Sequence, residues 1–492
     1  DPVFQPRRRR LELLAEERPE QFRPRRRNRV GDVQRLGRHV DDGVSSGADE
    51  THRIADCPIV GVDTERGCVT YRRSKRVRDT RIRIARPVVT GLHVEEHGVH
   101  AAADKLSPEH SIFEQLRTDG YDTGVFSANN WITDVDVGLK DGFDHVVGAR
   151  NAMYPEAMNP ESFVSHHGEG QYREFLRAAV RSEHPFKSLM NGVSTKLTAD
   201  YPGIVPSFMK AATPGSTYVD EFLRWQADRS KPWAACINLM DAHIPYEPSE
   251  EYDRWGGLEL RELQNSLDDH KWDFNGGHRP WWQKSALESL YDGAIHEMDA
   301  EVQRVLETLG ERGALDDTFV VITSDHGEGF GEYSDVRPGI QIAEHGVAIH
   351  DVLLHVPLIV HFPGQDSGER VGDPASLVEF VPTVQAVRDG DAASSAFVPD
   401  GPVMASAVGL DEPLQRRAGE YVEDLSPWLE TSRAVFESRD DGEVGITKYC
   451  TSGENAATLA VRDARTAWRT TGDAVGAIED AFRDVSDAGV RV

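Results

Sequence analysis

The sequence predicts an α/β fold: a mostly parallel sheet with helices on both faces, plus a small C-terminal antiparallel subdomain. From about residue 87, helical patterns alternate with short apolar strand patterns, and this alternation is typical of a parallel sheet covered on both sides. Beyond about residue 401, strand patterns follow one another directly. We therefore divide the 492-residue chain into three parts. They are residues 1–86, an atypical basic segment; residues 87–400, the α/β domain; and residues 401–492, the C-terminal subdomain.

The first αβ unit is a helix followed by a strand. Ile112, Phe113 and Leu116 share one helical face, Gly120 ends the helix, and the strand pattern YDTGVFS follows. Residues 160–285 show few clear periods, apart from an apolar strand pattern at Ala234–Met240. Two further strand patterns, TFVVIT and LLHVPLIVHF, come later in the chain.

One long amphipathic helix precedes those later strands, and it ends near Gly310 or Gly313. In the last part of the chain, residues 432–450 and 456–473 predict antiparallel strands, and residues 474–484 predict a final helix. The apolar positions of the long helix recur at steps of three and four: Leu287, Leu290, Ala294, Met298, Val302, Val305 and Leu309.

Charge is distributed very unevenly along the chain, whose formal net charge is −28. Residues 1–86 hold 22 Lys and Arg against 14 Asp and Glu, whereas residues 87–492 hold 33 against 69. Such acidity argues against a nucleic-acid partner. Concentrated salt would screen the self-repulsion, because the Debye length falls to about 3 Å at 1 M. We expect a salt-rich cytoplasm such as that of haloarchaea, the alternative being an ordinary acidic soluble protein.

The apolar segments and the cysteine spacing indicate in which cellular compartment the protein is expected. No stretch approaches the roughly 18–20 apolar residues that span a bilayer, and no apolar region follows the N-terminal arginines. We therefore expect no transmembrane segment, no signal peptide and a cytoplasmic location. The four cysteines lie far apart without a CxxC pair, which predicts neither a zinc ribbon nor a disulfide framework. No internal feature predicts an oligomeric state.

Residues 1–86 have an unusual composition. Stretches such as RRRRLELLAEERPEQFRPRRRNRV are rich in arginine and lack a sustained helical or strand period. Two interpretations fit: a disordered basic arm, or a GC-rich gene translated out of frame over this segment.

Two loops carry the candidate functional residues, one after the strand that ends at Met240 and one after the strand that ends at Thr323, since parallel sheets bind ligands beyond the carboxyl ends of their strands. In the second of these loops, Asp325 and His326 are residue types that bind a divalent cation, and Gly327 lets the chain turn sharply past the cation. The alternative is a capping Asp beside a solvent-exposed His.

His243 and His345 are candidates for contact with an anion or for protonating a leaving oxygen, the alternative being two surface histidines. Motifs of other enzyme classes are missing: the sequence has no GxSxG, no GxxxxGK[ST] and no Rossmann or kinase glycine pattern. Four neighbouring residues are expected to have supporting roles: His350 and His355 as structural residues, and Glu328 and Glu332 behind the ligands or in solvent.

The motifs together resemble the sulfatases of the alkaline-phosphatase superfamily. The likeness covers about residues 87–390 and rests on four stretches in the family's order. These are VVTGLHVEEHGVHAAADKLSPEHSIFEQLRTDGYDTGVFSANNW, MDAHIPYEP, the run from LYDGAIHEMDAEVQRV to VVITSDHGEGFGE with the following EHG and LLHVPLIVHFPG, and LVEFVPTV.

This resemblance implies an alkaline-phosphatase-like fold and hydrolysis of sulfuric esters. Asp325 and His326 match the family's late pair of metal ligands, with calcium the expected ion and manganese or zinc the alternatives. His243 and His345 match positions that contact the sulfuryl group. The implied substrate is a sulfated small molecule or glycan. Because Asp-His also occurs in relatives that hydrolyse phosphorus esters, a phosphodiesterase or phosphoglycerol-transferase relative stays open, as does a non-catalytic binding module.

The sequence departs from the family at the nucleophile. Nine residues before Thr90, where the family has Cys, Ser or Thr, this chain has Arg81, and no C-x-P-x-R or S-x-P-S-R motif lies nearby. The opening strand with paired metal-binding aspartates is also missing, because Asp63 stands only 27 residues before Thr90. We therefore expect the chain as it stands to be inactive or impaired.

Overall fold

The structure is a computed structural model, and all the residues that it describes belong to one compact unit within residues 52–492. They are residues 69–71, 74–75, 85–97, 104–149, 154, 157–158, 160, 163, 171–200, 213–438 and 445–487. Arg81, Asp63, Cys57 and Cys68 lie outside this range, so the interpretations of residues 1–86 stay predictions, as do the three domain boundaries.

The secondary structure of the described residues consists of short strands and helices of very different length. The strands are β1 (Val69–Tyr71), β2 (Ser74–Lys75), β3 (Asp122–Ser127), β4 (His145–Val147), β5 (Trp233–Asn238), β6 (Val320–Thr323), β7 (Phe330–Tyr333), β8 (Gln341–Ala343), β9 (Leu358–His361), β10 (Glu369–Val371), β11 (Ala375–Ser376), β12 (Val403–Ala407), β13 (Ser432–Ser438), β14 (Ile446–Ser452), β15 (Asn455–Val461) and β16 (Ala467–Thr470). The helices are α1 (Ala85–Thr90), α2 (Val94–His97), α3 (Ile112–Thr118), α4 (Asn130–Thr133), α5 (Tyr172–Arg181), α6 (Pro185–Asp200), α7 (Gly215–Ala227), α8 (Leu258–Asn265), α9 (Trp272–Asn275), α10 (Trp281–Glu311), α11 (Asp351–Leu354), α12 (Phe380–Asp389), α13 (Glu412–Ala418), α14 (Ser426–Leu429) and α15 (Ala474–Asp487).

A parallel three-stranded sheet in the order β4–β3–β5 carries the first predicted αβ unit. Helices cover both of its faces. Phe222 of α7 packs with Phe126 of β3 on one side, while Leu116 of α3 and Val384 of α12 pack with Cys236 of β5 on the other. The predicted α/β class, with helices on both faces of the sheet, is confirmed.

A four-stranded sheet in the order β10–β1–β9–β6 is mixed. β1 runs parallel to β10, but β9 runs antiparallel to both β1 and β6. The chain returns from β6 to β9 through the β7–β8 pair and the short helix α11. The first residues of the predicted strand at 353–362 therefore belong to α11 instead.

The long amphipathic helix is confirmed as α10, which begins before the predicted stretch and ends at Glu311. The predicted strand at Ala234–Met240 corresponds to β5, and the TFVVIT pattern contains β6. None of the helices that the structure describes is long and apolar enough to cross a membrane.

The C-terminal strands β12 to β16 form an antiparallel sheet in chain order, as predicted. Val435 packs against Phe482 of α15 on one face of this sheet. On the other face, Phe436 shares a buried cluster with Ile349 and Leu354. The C-terminal sheet therefore supports the chain segment that leads from β8 into α11.

Candidate active site

The loop that follows β5 is fixed at its base by Asp241. Its Oδ1 accepts a hydrogen bond of 2.9 Å from the backbone N–H of Gly215, at the start of α7. Burial raises the pKa of the Asp241 carboxyl, against the lowering effect of that hydrogen bond. Two residues on, His243 is exposed, and its Nδ1 lies 2.7 Å from the carbonyl oxygen of Ile244. A carbonyl only accepts, so Nδ1 carries the proton and Nε2 points away from this contact.

The loop after β6 holds the predicted metal ligands. His326 Nδ1 lies 2.7 Å from the Gly327 carbonyl oxygen, so this ring also carries its proton on Nδ1 and presents Nε2 as its metal-binding nitrogen. Asp325 Oδ2 lies 3.8 Å from that Nε2. Two ligand atoms that share one cation at about 2.0–2.4 Å lie roughly 3–4 Å apart, so this pair has suitable geometry.

Gly327 allows a close approach of two backbone segments beneath this loop. A Cβ atom there would lie 2.0 Å from the carbonyl oxygen of Val352, so any side chain would push the segments apart. The Gly327 N–H also donates to the Leu353 carbonyl, at 3.0 Å. The loop after β6 and the start of α11 are therefore fixed against one another.

His345 reaches the same place from the segment after β8. Glu344 and Gly329 exchange two backbone hydrogen bonds of 3.0 and 3.1 Å. Glu344 has a φ of 54°, which makes it the only non-glycine with positive φ among the described residues. Such a conformation costs about 1–3 kcal/mol and is typical of functional sites, where surrounding contacts hold it in place. It turns His345 inward, with 4% of its surface exposed.

Glu328 is buried and contacts this histidine directly. Its Oε2 lies 3.2 Å from His345 Nδ1, which orients the imidazole and leaves Nε2 outside this contact. Tyr246 is fully buried nearby, and burial, followed by the charges of Glu328 and Glu344, raises its pKa well above the usual value. The Tyr246 hydroxyl therefore stays protonated beside these carboxyl groups.

The predicted residues lie together in space. The rings of His326 and His345 are stacked with centroids 4.2 Å apart, and those of His243 and His345 are 6.0 Å apart. Within the described residues, a possible metal-binding triad is formed by His326, Glu328 and His345, whose ligand atoms lie within 4.8 Å of one another. His326 belongs both to this triad and to the predicted pair with Asp325.

The sequence alone did not identify Glu328 as a residue that contacts the site histidines. The expectation of a solvent-facing Glu328 is wrong, whereas the alternative expectation, a supporting position, agrees with its contact to His345. Its place two residues after His326, between two glycines, was the available signal. Glu332 is partly buried and accepts a backbone hydrogen bond from Phe330.

The segment from β7 to α11, which contains His345, is held at both ends by one buried cation. Lys448 Nζ lies 2.5 Å from Asp335 Oδ2 at the start of the segment and 3.0 Å from Asp351 Oδ2 at its end. It also donates to the Ile349 carbonyl, at 2.8 Å. His350 lies against Asp335 at 3.5 Å and accepts the Val352 N–H at the start of α11, in line with its expected structural role.

Comparison with known protein families assigns this chain to a family. A family model described as Sulfatase matches residues 86–388, close to the 87–390 over which the motifs resemble that family. The chain belongs to the sulfatase family.

Individual curated relatives match a smaller part of this chain than the family model does. The chain is 26% identical over 179 residues to the uncharacterized sulfatase YidJ of Escherichia coli, covering 34% of each protein. It is 33% identical over 175 residues to human arylsulfatase D, covering 32% of this chain and 29% of that protein. The chain thus spans about a third of the length of these curated relatives.

The fold matches over most of the chain. The phosphonate monoester hydrolase of Agrobacterium radiobacter superposes with a TM-score of 0.53 at 18% identity, covering 88% of this chain and 89% of that one. This likeness confirms the alkaline-phosphatase-like fold that the motifs implied.

Proposed function

We propose that this protein is a metal-dependent sulfuric-ester hydrolase of the sulfatase family. The observation that carries the proposal is the convergence of three histidines and Asp325 beyond the carboxyl ends of β5 and β6, with ring centroids 4.2 and 6.0 Å apart. The family membership and the 33% identity to an arylsulfatase support a sulfate ester, on a small molecule or a glycan, as the substrate class.

The donor set fits a divalent cation. Asp325 Oδ2 and His326 Nε2 would hold it, with Glu328 and His345 close enough to complete or support the shell. Carboxylate oxygens favour calcium, while the imidazole also admits manganese or zinc. A bound cation would offset negative charge on the ester oxygens.

The histidines supply the protein's own part of the chemistry. Because both His243 and His345 have Nδ1 engaged, each presents Nε2 to a bound ester. In the imidazolium form, where both ring nitrogens carry a proton, Nε2–H can donate to a sulfuryl oxygen or deliver its proton to the leaving oxygen, whereas in the neutral form Nε2 can only accept. Glu328 holds the His345 ring in this orientation, so its removal should misplace the donor without removing it.

The chain as it stands should turn over little. Position 81, where the resemblance places the nucleophile, is an arginine, whose guanidinium cannot attack sulfur. Binding of a metal and an anion at the site should nevertheless persist, because the residues proposed for them lie between positions 243 and 345.

Phosphorus esters form a second candidate substrate class. The metal pair is Asp-His, which the resemblance also associates with relatives that hydrolyse phosphorus esters, and the fold matches a phosphonate monoester hydrolase. Because little turnover is expected, binding separates the two: titration calorimetry of the metal-loaded protein compares its affinity for 4-nitrophenyl sulfate with that for bis(4-nitrophenyl) phosphate.

The decisive experiment measures Mn²⁺ and Ca²⁺ binding by titration calorimetry in the wild type, Asp325→Ala and His326→Ala. We expect each substitution to weaken binding by more than about 100-fold. Asp228→Ala, which removes an exposed carboxylate from the end of α7, is the matched control and should bind like the wild type.

Equal affinity in all four proteins would refute the metal site. Turnover of either ester that Asp325→Ala abolishes would support the hydrolase and contradict the expected loss of activity.

A further inference from the structure

Helices α5 and α6 form a hairpin, residues 171–196, that exposes five large apolar side chains. Tyr172, Leu176 and Val180 stand four residues apart on one face of α5 and are 56%, 52% and 61% exposed. On α6, Phe186 and Val193 are 71% and 51% exposed. Five large apolar side chains on two adjacent helices are far more than the isolated exposed residues of an ordinary surface.

Other side chains pack the two helices of the hairpin together, and among the five exposed ones Tyr172 contacts the opposite helix, at Lys196. Phe175 and Ala179, on the neighbouring face of α5, point inward, and Phe175 meets Phe163 edge-on at 5.3 Å. Gly192 of α6 lies so close to the Phe175 ring that a Cβ atom there would be 2.3 Å from it. The turn between the helices is closed by a 2.8 Å hydrogen bond between the Ser182 and Ser188 hydroxyls. The apolar stripe is therefore left for something outside the hairpin.

Charge indicates what that partner is. The 171–196 hairpin carries five Lys and Arg against two Glu, in a chain whose residues 87–492 hold 33 Lys and Arg against 69 Asp and Glu. Arg173, Arg177 and Arg181 are exposed and form a second stripe, directly beside the apolar one on α5. On the other helix, Lys196 Nζ lies 4.5 Å from the centre of the Tyr172 ring.

We propose that the 171–196 hairpin is a docking surface for an anionic lipid membrane. An apolar stripe with aromatic residues, bordered by long cationic side chains, is typical of helices that lie in the plane of a membrane interface. The apolar side chains would enter the acyl boundary while the arginines reach the headgroups. An acidic protein partner would match the arginines, but it leaves the five apolar side chains without an apolar counterpart. This inference is independent of the proposed activity.

The test is cosedimentation of the full chain with vesicles of phosphatidylglycerol and phosphatidylcholine, compared with vesicles of phosphatidylcholine alone. We expect binding to the anionic vesicles that weakens at least tenfold when Arg173, Arg177 and Arg181 are all changed to Gln. The substitutions lie at exposed positions, so circular dichroism should show an unchanged fold.

A second variant, Leu176→Ser with Val180→Ser and Phe186→Ser, should also lose at least tenfold in vesicle affinity. Leu258→Ser and Val475→Ser remove exposed apolar side chains from other helices and should bind like the wild type. Absence of wild-type binding to anionic vesicles, or equal binding by all variants, overturns the proposal. Self-association of the wild type in sedimentation velocity, lost in the serine variant without any vesicle binding, would assign the surface to a second copy and overturn it too.

Discussion

Replacing Lys448 by Met tests whether the C-terminal sheet holds the segment that carries His345. The Lys448 side chain is fully buried, and those of Asp335 and Asp351 are 11% and 2% exposed. Burial alone would lower the pKa of Lys448, but the two aspartates outweigh it and raise the pKa above its usual value. Methionine keeps most of the apolar stem but removes the ammonium group, which leaves two buried carboxylates without their cation and the Ile349 carbonyl without its donor.

Breaking a buried ion pair from one side costs about 3–5 kcal/mol. The unfolding entropy is about 2.1 cal/mol/K per residue, so 1 kcal/mol corresponds to about 1 °C for a unit as long as residues 52–492. We therefore expect Lys448→Met to lower the Tm by about 3–5 °C in calorimetry. Limited proteolysis should cut faster between Asp335 and Asp351, because both ends of that segment lose their ion pair with Lys448.

The matched control is Lys231→Met. The Lys231 side chain is 67% exposed, and its Nζ lies 3.8 Å from Asp122 Oδ1, so its loss should cost less than about 1 kcal/mol. If both variants melt within about 1 °C of the wild type, with equal proteolysis, the buried cation does not hold the segment and the reasoning fails.

Two further predictions follow from close packing. Gly327→Ala should destabilise the protein by about 1–3 kcal/mol and abolish metal binding in calorimetry, because the new Cβ would lie 2.0 Å from the Val352 carbonyl oxygen. The control is Gly372→Ala, where no atom lies within 4 Å of the new Cβ and no such effect is expected. An alanine tolerated at both positions would contradict the argument. Burial raises the pKa of the Cys450 thiol from 9.0 to about 12, so iodoacetamide at pH 8 should label it roughly a thousandfold more slowly in the folded chain than in urea. The same shift adds stability below pH 9 that is lost as the pH rises towards 12, and rapid labelling of the folded chain at pH 8 would show that the thiol is not buried.

The sequence by itself determined the local elements and the positions of the candidate ligands. The long helix, the αβ unit at residues 112–127 and the C-terminal strands follow from periodicity, which is set by neighbours a few residues apart. Asp325 and His326 could be singled out because they end an apolar strand. The salt-rich source, the cytoplasmic location and the interpretations of residues 1–86 stay predictions.

Only the tertiary structure decided which residues meet. The contact of Glu328 with His345 spans 17 residues, and the buried tie from Lys448 to Asp335 spans 113. The antiparallel course of β9 depends on how the chain returns from β6, which no local pattern encodes. These features arise from packing between distant segments, where burial determines the partner of each charge, whereas hydrophobic periodicity reports only which face of an element is covered.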